Sequence, residues 1–272
     1  MHRTLLSFII SISLFAAYSA DAQEHTDWAL KAVEWERAAF NAEDPAEAAE
    51  ALVQKAHCYR QCGRFDEAAA TLGRISMYLL PPGRRDEVLY EKEYCRYMAG
   101  DFSGAAACME EAGESMEPRR LLLDALVLGE CARWDESRAR AEALVSLLYE
   151  DRDREAALYE VRALYADVPA MKTEGGAVLR SFLPPLGHLY TGHVAEGLVS
   201  MALNAAAAGW TVWQCIEGNW ITGLLGGGLA LNATFMGGME RCIQLTEEYN
   251  RDSMRAYNDT LRALLLSHGA AE

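Results

Sequence analysis

Cys58 and Cys62, with His57 beside them, form the densest group of reactive side chains in this sequence. Spaced four apart, the two thiols fall on one face of a helix, and two thiolates are half of a zinc site. The other cysteines argue against that reading. Cys58 and Cys95 stand five residues before Gly63 and Gly100, and Cys62 and Cys131 stand one residue before Gly63 and Ala132. Recurrence at equivalent places is how small packing residues behave, so the cysteines are read as structural, with no metal. Seven cysteines in 272 residues are too few for a disulfide scaffold, and an odd number cannot all pair internally. His188 and His193, five apart, are poorly placed to share an ion on one helix face. Gly226-Gly227-Gly228 lies inside an apolar run, without the strand or the Lys-Ser/Thr pair that phosphate binding requires. Neither G-x-S-x-G nor H-E-x-x-H occurs. The acidic runs Glu91–Glu93, Asp151–Asp153 and Glu247–Glu248 read as solvated helix faces with arginines nearby. No catalytic residue, cofactor or metal is expected, and the chain is read as a non-enzyme.

Composition narrows the partners. Forty acidic against 25 basic side chains give a net charge of −15, which disfavours nucleic acid, since phosphate binding needs a concentrated basic surface. The charge is uneven: residues 181–239 carry only Glu196 and Glu217. The change falls near Thr173–Gly176, where Gly175-Gly176 supplies a break. At the start, His2 and Arg3 precede the apolar run Leu5–Ala17, and Ala20-Asp21-Ala22 fits a small-x-small cleavage site. Thirteen residues rise about 20 Å as helix, short of a ~30 Å hydrocarbon core, so residues 1–22 read as a secretory signal peptide and the mature chain as exported from Gln23.

The elements that must position everything else are helices. Residues 25–166 read as helical throughout, punctuated by Asp44-Pro45, Gly63, Pro81-Pro82-Gly83, Gly100, Pro118 and Pro169. A repeat runs through them. Gly63-x-Phe65-x-x-Ala68, Gly100-x-Phe102-x-x-Ala105 and Ala132-x-Trp134-x-x-Ser137 share a small residue, an aromatic and a second small residue, at spacings of 37 and 32. Leu72, Met109 and Ala141 follow four residues on. This pattern resembles the tetratricopeptide repeat, and the Trp-Leu-Gly usual in that repeat's first helix is missing. The small residue lets the turn close, the aromatic fills the gap between paired helices, and the alanine lets backbones approach. Three repeats are expected over residues 23–172, with Phe65, Phe102 and Trp134 in the core and a concave face for a protein or peptide partner.

The segment 173–196 holds the most specific local motif: Pro184, Gly187, Tyr190, Gly192 and Gly197 in a fixed frame before an apolar stretch. It resembles the entry motif of small TM2-like membrane hairpins, with Pro185 where that family usually has glycine. Phe235-Met-Gly-Gly and Glu248-Tyr-Asn250 resemble the closing segment of such domains in exported helical-repeat proteins of bacterial envelopes. Residues 197–239 then offer two 20-residue apolar stretches, Gly197–Ile216 and Trp220–Met239, joined at Glu217-Gly218-Asn219. Trp210, Trp213 and Trp220 cluster near that turn as an interfacial belt would, and Gly223 and Gly227 form a G-x-x-x-G pair. A bilayer-spanning hairpin is expected, with homo-oligomerisation through its glycines a further option; a soluble hairpin buried against the repeats is the alternative. Asn204 and Asn232 each lie 14 residues from Gly218, so a regular antiparallel pair would set them at one depth and let their amides bond. A polar helix, 240–272, completes an all-α chain. The reading is an exported repeat scaffold, periplasmic and membrane-anchored. The alternative reading puts the function in the hairpin itself, which would oligomerise or assist insertion or transport.

Overall fold

The structure, a computed structural model, describes residues 27–269 other than Pro184; the leader 1–22 and Pro184 lie outside the described residues. It is all-α, with no strand among the described residues. The helices are α1 (27–41), α2 (Pro45–Gln61), α3 (Phe65–Leu72), α4 (Pro82–Ala99), α5 (Phe102–Ala112), α6 (Pro118–Glu130), α7 (Trp134–Leu148), α8 (Asp151–Ala166), α9 (Glu174–Ser181), α10 (Leu186–Thr191), α11 (Val194–Ile216) and α12 (Gly228–Gly269), with a π-helical segment at Thr222–Gly227. Residues up to Tyr165, together with those from Leu264, make one compact unit, and Ala166–Ala263 make a second.

The first unit is built from helix pairs α2/α3, α4/α5 and α6/α7. Their starts follow from local chemistry. Pro45, Pro82 and Pro118 open α2, α4 and α6, where a missing N–H costs nothing. Asp44 and Asp101 cap α2 and α5, their carboxylates accepting from Ala46 N at 3.0 Å and Gly104 N at 2.9 Å. Between the members of each pair the chain turns through a left-handed residue: Gly63 at φ +69°, Gly100 at +81° and Ala132 at +56°. The second helices α3, α5 and α7 open on Phe65, Phe102 and Trp134.

Burial reassigns the roles within the repeat. Ala68, Ala105 and Ser137 are fully buried, with Leu72, Met109 and Ala141 beneath them. Phe65, Phe102 and Trp134 are only half-buried, which corrects the expectation that they form the core. Each is the first residue of its helix, so its ring lies at the rim of the pair and covers an edge. Phe65 meets Tyr94 edge-on with centroids 6.1 Å apart, and Phe102 meets Tyr97 at 5.7 Å. Serine replaces alanine at 137 for a visible reason. Its hydroxyl donates to the Ala125 carbonyl at 2.6 Å and lies 2.6 Å from the Tyr165 hydroxyl.

In the second unit, α11 turns at Glu217-Gly218-Asn219, with Gly218 at φ +83°, into a returning arm that is helical from 220. Gly223 and Gly227 face the first arm: a Cβ on Gly223 would stand 2.9 Å from Cys215 Sγ, and one on Gly227 would stand 2.1 Å from Thr211 Oγ1. The small-residue pair therefore serves the approach of the two arms of one molecule. The asparagine pairing is not what forms. Asn204 Oδ1 accepts from Thr234 Oγ1 at 3.0 Å and its amide donates to Ser200 O at 2.8 Å, while Asn232 is exposed. Equal counting from the turn assumed one pitch in both arms. The π segment packs more residues into each turn, so the second arm needs more residues to reach a given depth.

No helix among the described residues is long and apolar enough to cross a membrane. The 23 residues of α11 include Glu196, Asn204 and Gln214, and the returning arm continues without a break into the polar end of α12. The two apolar stretches thus fall short of what a lone spanning helix requires.

Candidate functional site

The first helices of the three pairs share one recess. Val53, Gln54, His57 and Arg60 of α2, Arg84, Glu87, Tyr90 and Glu91 of α4, and Arg119 of α6 line a cavity of about 390 Å³. Its charges are paired. Arg84 bonds Glu50 at 2.6 Å and Glu87 at 2.5 Å, Arg60 bonds Glu91, and the Arg60 and Arg119 guanidinium groups each lie 4.9 Å from a ring centroid, those of Tyr94 and Tyr90. Stacked guanidinium and aromatic faces beside exposed carboxylates suit the backbone and mixed side chains of an extended or helical peptide. His57 is exposed at the rim, beside the buried Cys58.

Beneath this surface lies a group that sequence reasoning missed. Glu93 of α4 and Asp124 of α6 are both 0 % exposed, and Arg120 is 4 % exposed. Arg120 Nη2 stands 3.6 Å from Glu93 Oε2, and Arg140 Nε stands 3.8 Å from Asp124 Oδ2, too long for strong hydrogen bonds. Desolvation, helped by the neighbouring Asp124 charge, pushes the Glu93 carboxyl up to about 8, and desolvation also raises Asp124 against the pull of Arg120 and Arg140. Glu93 is therefore no part of a solvated face. A signal existed: Glu93 falls four residues after the buried Leu89, and Asp124 interrupts the buried run Leu121–Leu128. The cysteine pattern holds in burial terms, with Cys58 and Cys95 buried in α2 and α4 and Cys131 Sγ against the Phe102 carbonyl at 3.5 Å.

In the second unit the Pro/Gly/Tyr motif has a physical reason at nearly every described position. Gly187 admits no side chain, since a Cβ would lie 2.1 Å from Ser181 Oγ and 2.8 Å from Cys242 Sγ. Gly197 is closed off by Pro185 Cβ at 2.8 Å and His188 Cβ at 2.9 Å, and Gly192 ends α10 at φ +88°. The Tyr190 hydroxyl accepts from Thr173 N at 3.2 Å. Asn250 brackets Lys172, accepting from its N–H and donating to its carbonyl, both at 2.8 Å, while the Lys172 ammonium lies 3.3 Å from the Tyr249 ring centroid. The Gly187 contact with Cys242 marks a pair absent from any sequence spacing: Cys242 Sγ is 3.2 Å from His188 Nδ1. Burial raises the thiol and lowers the imidazole, so both are neutral and the S–H donates to Nδ1.

Neither arrangement sets an accessible nucleophile beside a base, and no group of three or more metal-ligating side chains occurs among the described residues. Comparison with protein-family models, with curated proteins and with solved structures finds no match.

Proposed function

We propose that the chain is a membrane-anchored scaffold of the tetratricopeptide type in a bacterial cell envelope, binding a protein or peptide partner through its helix pairs in an assembly or secretion accessory role. The observation that carries the reading is the repetition. Three helix pairs turn through left-handed residues, bury a small residue at one equivalent place, and line a shared recess with their first helices.

The anchoring half is supported by what the hairpin leaves uncovered. Val199, Val212, Trp213, Ile216, Trp220, Ile221, Leu224, Leu225 and Leu229 are all more than half exposed, while Gly197, Gly223 and Gly227 are its buried positions. A contiguous apolar surface of this kind is a burden in water. Its polar groups are meanwhile satisfied internally, through Asn204 with Thr234 and Ser200, and through Thr211 Oγ1 donating to Ala207 O at 2.8 Å. The hairpin would enter lipid as a closed pair, with apolarity outside and amides inside, where neither arm would cross alone. The reading in which the hairpin oligomerises through its glycines has less support, because Gly223 and Gly227 already face the partner arm.

The test is partner capture from solubilised envelopes, with wild type against a recess variant carrying His57→Glu and Glu87→Lys. A partner retained by wild type and lost by the folded variant supports the scaffold. A partner that binds both equally removes the recess from the reading.

A further inference from the structure

A second cavity, about 480 Å³, opens at the base of the hairpin between α11 and α12. Small-molecule sites span roughly 300–1,000 Å³, so the space is large enough for a ligand. Val199 and Leu203 form an apolar wall. Gly237 forms part of the opposite side, and nothing lies within 4 Å of where its Cβ would stand. The cavity is open partly because position 237 carries no side chain.

The other end is polar. His188 lines the cavity and is 5 % exposed. Its Nδ1 is taken by the Cys242 thiol, and its Nε2 has no hydrogen-bond partner among the described residues. A neutral ring that accepts at Nδ1 carries its proton on Nε2, so the imidazole holds one unused N–H donor at the buried end of an apolar space. Such a donor is costly to leave unmade. Beside it, Arg241 donates to Glu196 at 3.0 and 3.3 Å and to Glu248 at 3.2 Å. One guanidinium shared by two carboxylates, next to a neutral histidine, leaves this end negative. It therefore disfavours an anionic head and suits an uncharged one whose hydroxyls can donate to Glu196.

We propose that this cavity binds an acyl ester of glycerol: the chain lies along Val199 and Leu203, the ester carbonyl accepts from His188 Nε2–H, and a glycerol hydroxyl donates to Glu196. Cys242 is a positioning residue, holding the histidine tautomer that presents the donor. The inference does not depend on the peptide recess, and it survives if that reading fails.

Isothermal titration of the full chain in a sterol-based detergent tests it, with three probes of equal chain length: 1-monododecanoylglycerol, its 1-dodecyl ether analogue, and dodecanoate. The expected result is saturable one-to-one binding of the ester, at least tenfold tighter than the ether, which lacks the carbonyl, and than the anionic dodecanoate. His188→Phe should lower ester affinity to that of the ether. Gly237→Leu, or independently Ala233→Leu, should abolish binding by filling the space. Displacement of the ester by a two-chain phosphatidylglycerol would identify a membrane lipid as the source, and failure to displace would identify a single-chain ester. Equal affinity for ester and ether in wild type overturns the proposal without recourse to any variant. So does tighter binding of dodecanoate, or unchanged ester binding in folded Gly237→Leu and Ala233→Leu.

Discussion

Glu93 and Asp124 place two carboxyls where water does not reach, and this shapes how folding responds to pH. The Glu93 carboxyl rises from an ordinary 4.5 to about 8, through burial and then the Asp124 charge, so between those values the folded protein holds a proton that the unfolded chain releases. Stability falls wherever the native state binds more protons as pH rises, so this contribution is complete below pH 4.5 and is lost on the way to pH 8. Glu36 works at the other end. Hydrogen bonds from Arg74 and Lys55 hold it down at about 2, and its contribution disappears as pH drops from 4.5 toward 2. Thermal unfolding of the full chain should accordingly be latest near pH 5 and earlier at pH 8.5. Glu93→Gln should flatten the alkaline limb and raise the pH 8.5 midpoint, each kcal/mol shifting it by about 2–4 °C. A variant with the same alkaline slope as wild type would mean that the pair does not share a proton. Little of this was legible in the chain, because charge runs ordinarily mark solvated faces. Only the phase of Glu93 with Leu89 departs from that rule.

The helix pairs show the opposite balance. Their turns, their proline starts and the opening residues of α3, α5 and α7 were readable from spacing alone. What spacing could not say was which member of each motif is buried, since an aromatic and a small residue three apart can both face a partner helix. Ala105→Leu should cost about 1–3 kcal/mol by overpacking, whereas Phe102→Ala should cost less than the roughly 3–5 kcal/mol of a fully buried aromatic. Chemical denaturation of both variants checks the order, and a greater loss at Phe102 would restore the aromatic to the core. The hairpin offers a sharper comparison. Replacing Asn204 by Leu and Thr234 by Val, singly and together, should reveal coupling of about 0.6 kcal/mol, the average for interhelical hydrogen bonds in membranes. Asn232→Leu should show no coupling to Asn204. The π segment was not legible, because Thr222–Gly227 has no residue pattern that separates a π turn from an α turn.

For the molecule as a whole, the exposed hairpin governs handling. The full protein should need detergent for extraction and remain with membranes through a carbonate wash, and release by carbonate would leave the apolar face to a protein partner. Helical class and the change of character after residue 180 were plain in composition. The hairpin's internal satisfaction was not, because it depends on atoms 30 residues apart in sequence, Asn204 and Thr234. That contact also makes the gene intolerant of a small lesion in one place. A π turn is an α turn carrying one extra residue, so loss of a single codon within 222–227 would let the arm relax to a regular helix without breaking the reading frame. Every side chain downstream would swing by about 100° around the axis. Thr234 would leave Asn204, Gly237 would leave its cavity, and Cys242 would leave His188. In-frame deletions should therefore be tolerated far better at Glu217-Gly218-Asn219 than four residues later. A deletion-scanning library selected for soluble or membrane-stable expression would display that asymmetry directly.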